Sequence, residues 1–385
     1  MDKHIFVASG SYGCVIKPGY TCSKKHTKKH NKLLSNTISK LFPKEKEWRS
    51  EINLQEIVQN EIDPDNKFTI KMIDNCELKP TTLKKTQNIY KCSLVNEEQS
   101  NNIYQIIYEH GGVDIYNIIV KRTYPEIISK FNIINALNSF ITILEGLKIM
   151  ALKNYVHHDI KLDNILYDIN KNKFILIDFG FLSKINKTYN VNSFIYKDPH
   201  NITFKYFPPE YNLMFFAYIN KLNLSYDDLT SINLYDFAVN LIPLLNKIMN
   251  ISNIPNKYKQ IFLKINKTME YYIFTKSKEV IKIFKDASDT KLKPTVDDID
   301  TYIKNLSNNY SINKIDIRLK IDSYMIGLFL LSFIIYSFIY LDKSNNIYDV
   351  PIEFFELLLK MIDINPFTRI DIFSIVDEYK KIFNL

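Results

Sequence analysis

Glycine and tryptophan are scarce in this chain, with eight glycines and one tryptophan in 385 residues. No glycine falls between 211 and 318, and that stretch shows little low complexity, which excludes a bare flexible linker there. The four cysteines, Cys14, Cys22, Cys76 and Cys92, include no C-x-x-C pair, and the opening M-D-K-H-I-F-V holds no long apolar signal region. Both absences point to a reducing, intracellular setting, the cytoplasm. Charged residues make up 24% against 46% hydrophobic, so the chain can bury a large core and falls outside the disordered class. A formal charge of +8 suits an anionic ligand or an acidic partner and is too mild to imply nucleic acid. The length exceeds one typical domain and leaves room for a two-lobed unit plus an insertion.

What is present is concentrated in residues 156–180, V-H-H-D-I-K-L-D-N-I-L-Y-D-I-N-K-N-K-F-I-L-I-D-F-G, where four acids stand among lysines and asparagines around two apolar runs. Phosphoryl transfer needs a carboxylate to meet the incoming hydroxyl, and a second carboxylate with an amide oxygen to hold Mg²⁺ against nucleotide phosphates. Asp159 fits the first role; Asn164 and Asp178 fit the second. The runs Ile165 to Tyr167 and Phe174 to Ile177, separated by a polar turn, predict a hairpin that brings Asp178 beside Asn164.

H-x-D-x-K-x-x-N followed within twenty residues by D-F-G resembles the catalytic loop and D-F-G segment of eukaryotic-type protein kinases. The chain is most similar to protein kinases of large nucleocytoplasmic DNA viruses, whose glycine loops often read G-S-Y-G-x-V with a nearby proline and cysteine, here Pro18 and Cys22. The resemblance implies an α+β, two-lobed fold. Residues 1–110 would form a small, mostly β lobe. A larger helical lobe would hold the catalytic and activation segments over 111–210 and its remainder over 319–385, interrupted by a helical insertion at 211–318.

In the first lobe, A-S-G-S-Y-G-C-V resembles the phosphate-covering loop, with Ala8 where the first glycine belongs. Gly10, Ser11, Tyr12, Gly13 and Val15 are its nucleotide-contacting residues. The basic run Lys24 to Lys32 reads first as a solvated loop, with a localisation signal or an anionic docking patch as alternatives. Cys22, His26 and His30 sit at metal-like intervals but lack a fourth ligand. T-I-S-K-L supplies the phosphate lysine, Lys40, with Ile38 crowding the adenine slot. Glu51 is assigned as its ion-pair partner, with Glu47 and Glu56 as alternatives. Phe68 to Ile73, Ile89 to Leu94 and Ile103 to Glu109 are predicted strands. The last runs into a hinge in which backbone groups around Glu109 to Gly111 would meet adenine, Tyr108 would be the gatekeeper and Asp114 would meet the ribose; Leu166 joins the nucleotide contacts.

In the second lobe, apolar residues from Ile127 to Ile149 recur at three and four, predicting buried helices. His157 has a structural role, and His158 stands where most such kinases have arginine. Lys161 and T-F-K-Y-F-P-P-E, with Thr203 seating the hydroxyl, are the Ser/Thr pattern. Glu210 would pair with Arg369. I-D-S-Y-M-I-G-L, rather than Y-D-F-A at Tyr235 to Ala238, matches the start of the central helix through Asp322. The apolar run Tyr324 to Leu341 is long enough to cross a membrane, but a helix buried on every side looks the same. A buried helix with no second membrane segment is the expectation.

The resemblance implies transfer of the ATP γ-phosphoryl group to protein serine or threonine, with ATP, Mg²⁺ and protein substrates as partners and no membrane. Asp159, Lys161, Asn164 and Thr203 are the catalytic set, and Asn164 and Asp178 the metal ligands. The alternative is a pseudokinase acting as a nucleotide-binding or scaffold module, favoured by Ala8, Ile38 and His158. A nucleic-acid module built on the basic loop and the insertion is a third reading.

Overall fold

A computed structural model describes residues 4–9, 13–22, 36–83, 86–92, 103–185, 208, 236–271, 314–341, 343–363 and 368–385. The chain divides into two compact units, Met1–Gly112 with Ile175–Gly180, and Val113–Phe174 with Phe181–Leu385.

The first unit is built on an antiparallel sheet. Its elements in chain order are β1 (Ile5–Ser9), β2 (Cys14–Lys17), β3 (Thr37–Phe42), α1 (Glu45–Ile57), β4 (Met72–Leu78) and β5 (Ile103–Glu109), with strand order β1-β2-β3-β5-β4. The two-residue period of a strand decides what each side chain does. In β3, Thr37, Ser39 and Leu41 are buried, while Ile38 and Lys40 emerge on the other face. Ile16, Tyr20, Leu41, Leu78, Leu83 and Ile103 close the core on the buried side. Helix α1 is tied to β5 by Trp48, whose indole N–H donates to the Gln105 carbonyl at 3.1 Å and whose ring stacks on Tyr104.

Two predicted strands are corrected. The one expected over Phe68 to Ile73 starts only at Met72, because the buried carboxylate of Asp63 draws the amides of Lys67, Phe68 and Thr69 into a turn. Of the strand expected over Ile89 to Leu94, the described residues 89–92 are not extended: Ile89–Lys91 form a single 3₁₀ turn, entered through Asn88 in the left-handed region (φ 63°) and left at Cys92, which is bonded to Cys14. Cysteine spacing carried no hint of pairing, yet all four join as Cys14–Cys92 and Cys22–Cys76, with Cα–Cα distances of 6.0 and 5.6 Å.

The second unit holds β6 (Val113–Asp114), α2 (Ile133–Leu152), β7 (Tyr155–Val156), β8 (Ile165–Asp168), β9 (Lys173–Leu176), β10 (Ser183–Lys184), α3 (Asp236–Met249), α4 (Asn256–Tyr271), α5 (Lys314–Tyr340), α6 (Ile352–Met361) and α7 (Ile372–Phe383). The last two residues of β9 pass into the first unit. Strands β6, β8 and β9 form one small sheet, and β10 pairs with β7. Helix α2 is capped by the Asn132 side chain, which accepts the Asn135 N–H, and buries Ile133, Leu137, Phe140, Leu144 and Leu147 on one face at spacings of three and four.

Helix α5 is the core of this unit. Phe329 stacks on Phe140 at 5.3 Å, and Phe333 meets Phe131 and Phe174 edge-on. Gly327 is required there: a Cβ at that position would lie 2.7 Å from the Cβ of Met361, so only glycine lets α5 approach α6 this closely. Helices α3 and α4 come from the stretch predicted as an insertion. The described residues of α4 pack into the same core, with Phe262 edge-on to Phe338 and Phe355 and the Tyr258 hydroxyl donating to the carbonyls of Tyr348 and Val350. Among the described residues, two helices are long and apolar enough to cross a membrane by length and composition, Ile133–Leu152 and Leu319–Tyr340. The expectation of a single such segment is therefore corrected, and 83% of the apolar window of Leu319–Tyr340 is buried inside the protein.

Candidate active site

The loop between β7 and β8 gathers three of the predicted residues around one carboxylate. Asp159 is buried, with both oxygens 2.9 Å from the Lys161 ammonium. The Asn164 amide nitrogen donates to the Asp159 carbonyl at 2.8 Å and to Oδ2 at 2.7 Å. Asn164 Nδ2 is thereby spent on Asp159, which leaves Oδ1 as the atom suited to a hard cation.

The stem of this loop is held from α5. Asp322, buried, accepts the backbone N–H of His157 at 2.7 Å and of His158 at 3.1 Å. Burial pushes its carboxyl up to about 6, against the lowering effect of those two hydrogen bonds. The ring of His157 accepts the Asp159 N–H at 3.2 Å. His158 sits at φ 64°, with Nδ1 3.3 Å from the Phe181 carbonyl and 3.4 Å from Ser183 Oγ. Burial drives its imidazole down to about 3, so it is neutral at pH 7.

The nucleotide residues assigned to this unit behave differently from one another. Leu166 is buried in β8, in register with Asp114. The carboxylate of Asp114 accepts the Asn117 backbone N–H at 2.8 Å and its side-chain amide at 2.7 Å, so it is already occupied in holding the turn that starts at Tyr116.

In the first unit, Lys40 Nζ lies 3.1 Å from Glu51 Oε1. Of the three candidate acids on α1, Glu51 is the one on the lysine. Burial pulls the Lys40 ammonium down, but Glu51 and Asp178 together hold it above its ordinary value. Asp178 is itself in the left-handed region (φ 63°), its Oδ1 3.4 Å from the Gly180 N–H. The Tyr108 hydroxyl is buried and raised well above the usual phenol range, by desolvation first and then by Glu51 and Asp178. Val15 pairs in register with Lys40. Gly13 has a packing reason to be glycine, because a Cβ there would fall 2.2 Å from the Leu41 carbonyl oxygen. In the hinge, the Glu109 N–H donates to the Lys71 carbonyl and the His110 N–H to the Asn36 carbonyl, which removes both from the donors predicted for adenine.

The protein kinase domain family matches residues 7–379. The chain belongs to the protein kinase family. It is also similar to a fowlpox virus (strain NVSL) protein described as "Probable serine/threonine-protein kinase FPV212", 33% identical over 102 residues that make up 25% of this chain and 31% of that protein. The match thus spans about a third of that relative's length.

Of the predicted residues of this kinase, Gly10, Ser11, Tyr12 and Thr203 lie outside the described residues, as does Glu210. Arg369, its expected partner, is buried, donates from Nε to the Asp363 carbonyl at 2.7 Å and lies over the Tyr324 ring. Among the described residues no group of three or more His, Cys, Asp or Glu gathers to hold a metal ion.

Two side chains with work near Glu51 and Asp178 escaped the reading of the sequence. Gln55, one turn after Glu51, donates to the Ile70 carbonyl at 2.9 Å, and Asp63 organises the turn that follows α1. The run D-P-D-N-K signals a loop. Nothing in it tells that the first acid points inward, because its partners are backbone amides.

Proposed function

We propose that this kinase transfers the γ-phosphoryl group of ATP, with Mg²⁺, to serine and threonine hydroxyls of proteins. The observation that carries the reading is the Asp159 cluster: a buried carboxylate aligned by an amide and faced by an ammonium. Asp159 orients the substrate hydroxyl and takes its proton as the oxygen attacks the γ-phosphorus and ADP departs. Lys161 offsets charge on the transferred group. Lys40, fixed by Glu51, positions the α- and β-phosphates. Asn164 Oδ1 and the Asp178 carboxylate are the oxygens that would hold Mg²⁺, which when bound neutralises phosphate charge. Adenine would meet the hinge through the Glu109 carbonyl and Gly111, since two neighbouring amides are taken. The fowlpox relative, described as a serine/threonine kinase, supports the choice of hydroxyl class. The two-lobed arrangement, a role for Thr203 in seating the hydroxyl, and 211–318 as an insertion belong to the same proposal.

The test is phosphorylation by the full chain of a generic Ser/Thr protein substrate with Mg²⁺ and ATP, beside Asp159→Asn. The variant is expected to lose about 10²–10⁴-fold in rate. Equal signal from both proteins, or none from either, would favour a nucleotide-binding or scaffold role.

A further inference from the structure

One buried acid in the first unit has no part in the chemistry described above. Asp63 follows the last turn of α1 and its π-helical extension Val58–Ile62, and is 3% exposed. Its carboxylate accepts four hydrogen bonds: Oδ1 from the Lys67 N–H at 2.8 Å, and Oδ2 from the N–H groups of Phe68 and Thr69 and the Thr69 hydroxyl, each at 2.9 Å. Successive backbone N–H groups of this kind form a concavity for an anion, and here the chain fills it with its own side chain.

The other edge of the same turn carries the segment that leads to Asp178. The Phe68 carbonyl accepts the Leu176 N–H at 2.8 Å, and Thr69 bridges Leu176 in parallel. Leu176 stands two residues before Asp178. Helix α1 is fastened to the turn as well, through Gln55 and the Ile70 carbonyl, and Gln55 lies one helical turn after Glu51. The Asp63 turn is therefore a shared anchor. The helix that presents Glu51 to Lys40 and the strand that presents Asp178 both register against it.

We propose that Asp63 is a positioning residue of the Mg²⁺ site: its carboxylate templates the Lys67–Thr69 turn, and that turn sets the register of Asp178 relative to the Lys40–Glu51 pair. The assignment of Asp178 as a metal ligand rests on the kinase reading above. The positioning link itself does not. Replacing Asp63 by Asn keeps the shape but loses charge and puts an N–H₂ group against backbone donors, so at least part of the cradle opens. Thr69→Val removes only the hydroxyl bond and leaves the three amide contacts, a milder lesion for the case in which Asp63→Asn fails to fold.

The experiment uses the full chain and two readouts. Amide hydrogen exchange without ligand is expected to show faster exchange in Asp63→Asn at Phe68 and Thr69 and, together with them, at Leu176 through Gly180. Thr69→Val shifts the same amides by less. Loosening confined to 67–69, with 175–180 as protected as in the wild type, overturns the proposal. Calorimetric titration of ADP with and without Mg²⁺ reads the consequence: about 10- to 100-fold weaker dependence on Mg²⁺ in Asp63→Asn, with Mg²⁺-free ADP binding unchanged. Equal losses with and without Mg²⁺ indicate a merely structural role and also overturn it. A wild-type chain that fails to bind Mg²⁺·ADP sinks the kinase reading instead, and the exchange experiment then decides the positioning link alone.

Discussion

The carboxylate of Asp322 accepts the backbone N–H of His157 at 2.7 Å, across 165 residues of sequence, so an acid inside the buried helix α5 fixes the loop that carries Asp159. Burial that raises this carboxyl to about 6 means the folded protein binds a proton that the unfolded chain, with an ordinary aspartate near 3.8, releases.

Stability contributed by Asp322 is therefore fully present below about pH 4 and is lost as pH rises through 6, by an amount on the order of 3 kcal/mol. Denaturant unfolding of the wild type and Asp322→Asn is expected to diverge between pH 4 and 6 and to run parallel above pH 7. Parallel behaviour throughout would mean that Asp322 does not titrate in that window.

His158 has the opposite sign. Its imidazole resists protonation down to about pH 3, whereas an unfolded histidine takes a proton near 6.5. Its contribution is complete above pH 6.5 and drains away as the pH falls from 6.5 toward 3. His158→Asn, which tolerates positive φ and puts an amide near Nδ1, is expected to flatten unfolding free energy across that range.

The same neutral, buried ring cannot pair with a phosphate dianion at pH 7. Activity is expected to survive phosphatase treatment of the purified kinase. A loss of activity restored by rephosphorylation at one site would contradict this.

Lys40→Met and Glu51→Gln are each expected to lower kcat by about 10²–10³-fold through lost phosphate positioning. The pair is largely buried, so removing either partner leaves a desolvated charge without its counterpart, and a fall in melting temperature is expected alongside the loss of kcat. A large drop in melting temperature without a fall in kcat would assign the pair a structural role only.

Cys14–Cys92 and Cys22–Cys76 span 78 and 54 residues, loops long enough for each bond to restrict the unfolded chain by about 4 kcal/mol. Reduction is expected to lower the unfolding midpoint, and double Cys→Ser replacement of either pair to reproduce part of that loss. In a reducing compartment this contribution is absent. Alkylation of all four cysteines in the native, unreduced protein would refute the pairing.

Local chemistry was legible without coordinates wherever a short stretch carries its own reason. The alternation of T-I-S-K-L-F placed Lys40 on the face opposite Ser39 and Leu41, and the three-and-four spacing from Ile133 to Leu147 marked one buried helical face. Asp159 and Asn164 stand five positions apart on one loop, and the chemistry of phosphoryl transfer together with the kinase resemblance names both without the hydrogen bond that joins them. Interactions whose partners are backbone groups, or lie far along the chain, stayed out of reach. Phe68 to Ile73 has the composition of a strand, and only the inward carboxylate of Asp63 turns its first residues aside. The cysteines pair across 78 and 54 residues, where spacing holds no information about distance in space. Glu51 was separated from Glu47 and Glu56 by the direction in which α1 faces β3, a matter of packing. By itself the sequence determined which chemical groups are available and which short segments hold them together. Tertiary structure decided which acid meets which donor, because burial and close packing leave a carboxylate only those partners that the folded backbone brings within about 3 Å.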